Sequence, residues 1–137
     1  MTDLRYLTAS ELVYLNRRLC EQRKQDFGLV GLEDLREALT RPQLCIDGYE
    51  PFPDIWQKAG VLVDSLNKAQ PFISANALTG FFAADLFLRL NGYSLASQAA
   101  DIEQLQSVAL QQETIPQIAD WLKQRVETAN QETEDSL

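Results

Sequence analysis

Leu12, Leu15 and Leu19 repeat at a spacing that winds three apolar side chains onto one face of a helix, with Val13 beside them. Arg17, Arg18, Glu21, Arg23 and Lys24 fall mostly on the opposite, wet side. Ahead of this run Thr8 and Glu11 stand in the capping-box relation, a hydroxyl at the cap and a carboxylate three residues on. The pattern predicts a first helix over residues 10–25 that stops before Gly28. A short second helix is predicted over residues 32–39, between Gly31 and Arg41-Pro42. Residues 42–53 hold three prolines and Gly48, and read as a surface loop or flap.

Ile55, Ala59, Leu62, Val63 and Leu66 form a second apolar stripe, which predicts a third helix over residues 54–68. The pattern changes between residues 76 and 90. Leu78, Phe81, Phe82, Leu86, Phe87, Leu88 and Leu90 cover the whole circumference, so this fourth helix is expected to be central and buried on all sides. Its charges, Asp85 and Arg89, are spaced to meet as a pair, and Asn91-Gly92 supplies a left-handed stop. Ile102, Leu105, Val108, Ala109 and Leu110 mark a fifth helix. Thr114 opens a sixth, with Pro116 in its first turn and Ile118, Trp121, Leu122 and Val126 as its packing face. From Glu127 onward the chain carries four acids and no base, and an acidic flexible tail is expected over residues 127–137. No segment alternates with period two over a convincing length. The expectation is an all-α, single-domain helical bundle over residues 1–126, built around a buried central helix.

Composition narrows the functions open to such a bundle. The 137 residues are 45% hydrophobic and 23% charged, the balance of a folded globular domain. Twelve basic against twenty acidic residues give a net charge of −8. Affinity for nucleic acid comes from cations that displace counterions, so neither nucleic acid nor an anionic membrane surface is an expected partner. No apolar run approaches the roughly 20 residues that span a bilayer. The opening Met1-Thr2-Asp3-Leu4-Arg5 lacks the basic-then-apolar order of a signal peptide, and a cytoplasmic protein is expected. The chain contains no histidine, which closes every mechanism that needs an imidazole base or ligand. Two cysteines are too few for a thiolate zinc site, and no metal site is assigned. Cys20 and Cys45 are expected to be reduced, small core residues.

The informative segment runs from Gln70 to Phe82 and feeds the start of the buried helix. Pro71 keeps Gln70 extended, Phe72 anchors the loop in the core, and Ser74 or Asn76 could cap the helix. A helix start of this kind presents backbone N–H groups to an anion.

This segment resembles the signature of the Fic/Doc (death-on-curing) family, His-x-Phe-x-(Asp/Glu/Asn)-(Gly/Ala)-Asn-(Lys/Gly)-Arg. The likeness extends along the chain. Arg5-Tyr6-Leu7-Thr8 is similar to the family's opening strand and cap, and residues 31–42 to the stretch before its flap. Phe87-Leu88-Arg89-Leu90-Asn91-Gly92-Tyr93 resembles the end of its central helix, and residues 115–122 its closing helix. The Doc branch is the nearer one. The resemblance implies a base that activates a hydroxyl, a magnesium ion held by the acidic or amide position, and a nucleotide gripped by the Asn-Lys-Arg part. It also implies transfer of AMP or phosphate to a protein hydroxyl, and silencing by a small antitoxin.

Matched position by position, Phe72, Ala75, Asn76 and Thr79 keep the pattern. The base position holds Gln70, the metal position Ser74, and the two cationic positions Ala77 and Leu78. A positioned base contributes ~10²–10⁴ in rate. Two lost charge-assisted phosphate contacts remove about 3–6 kcal/mol. The expected reading is therefore a Doc-like protein with a degenerate motif and no catalytic residue. It would act by protein binding as a scaffold or toxin–antitoxin relic, with a protein partner such as an antitoxin-like peptide and no cofactor. Ser74, Ala75, Asn76, Ala77 and Leu78 mark the degenerate nucleotide-site positions. The alternative is an active transferase using ATP and magnesium. A third reading sends the loop over residues 42–53 to a partner strand or helix. The sequence assigns no oligomeric state.

Overall fold

A computed structural model describes residues 3–95 and 114–135, with side chains as far as Val126. Five helices carry the fold: α1 (Ala9–Arg23), α2 (Leu32–Thr40), α3 (Ile55–Ala69), α4 (Asn76–Leu90) and α5 (Ile115–Asp135). The predicted fifth helix, around Ile102 to Leu110, lies outside the described residues. The all-α expectation is met: among the described residues β-structure is confined to two isolated bridges. No described helix is long and apolar enough to cross a membrane.

Each boundary has a local cause. Thr8 accepts from the Glu11 amide while the Glu11 carboxylate accepts from the Thr8 amide, closing the predicted box. Hydrogen bonds from the Thr8 backbone amide, the Thr8 hydroxyl and Arg5 together hold the Glu11 carboxyl below its ordinary range. Asp54 caps α3 through the Gln57 amide. Thr114 and Gln117 form a second reciprocal box at the start of α5. At the end of α4, Gly92 with φ +95° bonds back to Arg89 and Tyr93 bonds back to Leu88, the paired closure of a Schellman stop.

α3 is the hub of the bundle, with α2, α4 and α5 packed against it, and α4 lies between α1 and α3. Phe81, Ala83, Ala84, Phe87 and Leu88 are buried along α4, but Phe82 and Leu86 are only half-buried and Leu90 is exposed, so the expected burial on all sides holds for part of its circumference. Glycine permits the closest approaches. A methyl group at Gly80 would stand 3.4 Å from the Val63 Cα on α3, and one at Gly60 would stand 3.2 Å from the Ile115 carbonyl oxygen on α5. Asp85 and Arg89 form the expected pair, at 3.2 Å. Burial nevertheless pushes the Asp85 carboxyl up, with Arg89 only partly opposing it.

Two further expectations need correcting. The opening segment forms no strand; instead the Asn91 side chain donates to the Arg5 carbonyl and accepts from the Arg5 amide, both at 2.9 Å. A side-chain amide thus does the work of a neighbouring strand. The loop over residues 42–53 is more ordered than its prolines suggested. Ile46 and Tyr49 exchange backbone hydrogen bonds at 2.8 and 2.9 Å, around Asp47 (φ +49°) and Gly48 (φ +82°). Positive φ at both central residues is the tight-hairpin geometry that Asp-Gly favours. This hairpin stands off the bundle, so Cys45 within it is exposed while Cys20 is buried. Only Cys20 fulfils the expected core role.

The crevice at the start of the central helix

The loop from α3 to α4 is short and bent at both ends. Gln70, expected to be extended before Pro71, instead closes α3 in the left-handed region with φ +47°, and Ala75 precedes α4 with φ +62°. Neither is glycine, so each stores backbone strain in a left-handed conformation. Between them, Val30 and Gly31 both donate to the Pro71 carbonyl, and Ile73 donates to that of Gly28, which ties the loop to the segment before α2.

The Asn76 side chain folds back on the loop, accepting from the Phe72 amide at 3.0 Å and donating to the Phe72 carbonyl at 2.9 Å. Neither Ser74 nor Asn76 caps α4, and no side chain does. The left-handed turn at Ala75 moves the chain off the path on which a preceding hydroxyl reaches the helix amides. The first turn of α4 therefore opens onto a crevice of about 330 Å³.

Gln70, Ser74, Ala75, Asn76, Ala77 and Leu78, the residues singled out in the sequence, all line this crevice. Leu78 reaches it from a largely buried position, only 4% exposed. Gln70 is exposed and Ser74 half-buried. Asn67 at the end of α3 and Ile73 complete that side.

Two contributions from α1 went unread in the sequence. Arg23, the last residue of α1, and Gln25 just beyond it also line the crevice. Beneath the loop lies Asn16, fully buried, donating to the Ser74 carbonyl at 2.9 Å and to the Thr79 hydroxyl at 3.0 Å. The Cys20 thiol sits 3.7 Å from the Asn16 oxygen, and burial, assisted by the Asp26 charge, pushes its pKa up. The lone signal in the sequence was Asn16 itself, an amide among the apolar positions of α1.

The donors here do not suit magnesium. That ion asks for carboxylate or phosphate oxygens in near-octahedral array. The crevice offers the Ser74 hydroxyl and side-chain amides, one of which, Asn76, is already engaged by Phe72. Among the described residues, no group of three histidine, cysteine or acidic side chains could hold a metal.

A helical bundle whose buried central helix begins at a bent Pro-Phe-x-Ser-Ala-Asn loop, with a crevice over that helix start, is the arrangement expected of the Fic/Doc class. Comparison with known proteins agrees. The Fic/DOC family matches residues 6–88, and the chain belongs to that family. Among curated proteins it is 35% identical over 77 residues to a protein named Toxin Doc from Mycolicibacterium smegmatis. The match takes in 56% of this chain and 55% of that relative, so the chain spans about half the relative's length.

Proposed function

We propose that this chain is a Doc-like protein that works by binding another protein and does not catalyse nucleotide transfer. The observation that carries the reading is the lining of the crevice: apart from Arg23 it consists of amides, one hydroxyl and small or apolar groups, and no imidazole or carboxylate stands among the lining residues. With Gln70 in place of a base and Ser74 in place of a metal ligand, neither proton removal nor charge neutralisation at a triphosphate has an agent. The partner is a protein, with an antitoxin-like peptide the first candidate given the likeness to Toxin Doc. The apolar hairpin around Ile46 and Tyr49 is its docking edge. Both side chains are more than half exposed.

Isothermal titration with ATP and magnesium tests the inactive crevice, and no saturable heat is expected. Saturable binding, with transfer of labelled AMP or phosphate to a protein, would overturn it. One observation favours that second reading: a cationic residue, Arg23, lines the crevice, where the family positions Ala77 and Leu78 supply no charge. If Arg23 serves a retained nucleotide site, Arg23→Ala abolishes the heat. Restoration is best attempted with Gln70→His, Ser74→Asp and Ala77→Lys. Leu78→Arg would start its guanidinium from a nearly buried stem.

A further inference from the structure

Lys58 lies in the first turn of α3 and is 2% exposed, an unusual place for an ammonium group. Its Nζ donates to the Pro42 carbonyl at 2.8 Å and stands 3.9 Å from the Glu50 carboxylate. The Tyr6 ring, stacked on Phe87, lies 5.9 Å from the same ammonium. Pro42 and Glu50 bracket the hairpin, one before its first leg and the other just past Tyr49. A single buried charge therefore hydrogen-bonds one end of the segment that carries Leu44, Ile46 and Tyr49 into solvent and attracts the carboxylate at the other. Arg41 ties the same base to α3 a second time: its guanidinium donates to the Asp64 carboxylate at 3.1 Å and the Ser65 hydroxyl at 3.0 Å, and lies 5.5 Å from the Phe52 ring.

A two-stranded hairpin alone in water is marginally stable. This one is short, and every residue from 43 to 50 is exposed, so burial of its own side chains does not hold it. Its order must come from the base. For packing alone, an apolar side chain at position 58 would do as well, because burying a charge carries a desolvation penalty that a methionine avoids. The ammonium adds what methionine lacks, a directional hydrogen bond to Pro42 and a charge attraction to Glu50.

We propose that Lys58 is a positioning residue that keeps the hairpin over residues 46–49 preformed as the projecting apolar edge of the protein. Its importance for partner binding rests on the docking role given to that edge above. Its effect on the hairpin does not.

The test is hydrogen exchange at the Ile46 and Tyr49 amides of the unliganded chain, compared with amides in the middle of α3 and α4. Lys58→Met should speed exchange at Ile46 and Tyr49 by about ten- to a hundredfold, the loss of one charge-assisted hydrogen bond, while the helical amides keep their protection. Lys58→Arg should restore most of it. Unchanged hairpin exchange in Lys58→Met overturns the proposal. So does a uniform rise across hairpin and helices together, which would make Lys58 a general stabiliser. Should Lys58→Met fail to fold, Glu50→Gln decides: selective loosening at Tyr49 supports the tether, and no change refutes it. A partner that binds wild type and Lys58→Met equally, although the hairpin has loosened, would refute the docking role and leave the tether standing.

Discussion

Removing the Asn16 amide is the most direct way to ask whether α1 holds the loop that shapes the crevice. Asn16→Leu keeps most of the volume and deletes two donated hydrogen bonds, to Ser74 at 2.9 Å and to Thr79 at 3.0 Å. Asn16 and Thr79 are fully buried, and the bond to Ser74 is partly buried. Each lost bond, with its acceptor left short of a partner, costs about 1–2 kcal/mol, or roughly 2–4 kcal/mol for the pair. For a domain of this size that lowers Tm by roughly 6–16 °C. Urea unfolding followed by far-ultraviolet circular dichroism gives the free energy directly. A double-mutant cycle with Thr79→Val isolates the contact and should return a coupling of about 0.5–1.5 kcal/mol. An Asn16→Leu variant within about 0.5 kcal/mol of wild type, with no coupling to Thr79, would show that the loop stands without α1.

Other consequences can be checked with the same protein. Ala75 sits at φ +62°, so Ala75→Gly relieves left-handed strain and should raise stability by about 0.5–1 kcal/mol, whereas Ala75→Val should lower it. Iodoacetamide should label Cys45 in the native state and reach Cys20 only on unfolding, since one thiol is exposed and the other buried with a raised pKa. Asp85 and Glu11 should bend the pH profile in opposite senses, read from urea midpoints between about pH 3 and 8. The Asp85 carboxyl is raised, so the folded state holds that proton more tightly. Its contribution to stability grows as pH falls through the raised value, and Asp85→Asn removes that gain without lowering stability at neutral pH. The Glu11 carboxyl is lowered, so its contribution is full above 4.5 and is lost as pH falls through the folded value; Glu11→Gln flattens that acid loss.

Local chemistry was the legible part of the sequence. The Thr8–Glu11 box, the start of α5 at Thr114 and the stop of α4 at Gly92 follow from residues only a few positions apart. So does the Asp85–Arg89 pair. The crevice was half legible: its α4 side follows from the motif, but Arg23 comes from α1. Asn16 meets Ser74 and Thr79 across 58 and 63 residues of chain, and no periodicity announces such a meeting. Arg23 looked like solvated surface because a helical pattern shows which face is wet without showing what faces it across the water. The capping expectation for Ser74 and Asn76 failed for a backbone reason, the left-handed turn at Ala75. The hairpin was overlooked although Asp47-Gly48 is a strong local signal, since the surrounding prolines argued for irregular chain.

The end of α1 gives the crevice an uneven frame. One part of its lining, the start of α4, is fixed in the core; another, Arg23, hangs on the last turn of a helix that Lys24 closes with φ +55°. Terminal turns unravel at small free-energy cost. Anything that relies on Arg23 must first find that turn wound. Substitutions at exposed sites such as Gln22, which raise or lower helix propensity without touching a guest, should therefore tighten or slacken its grip.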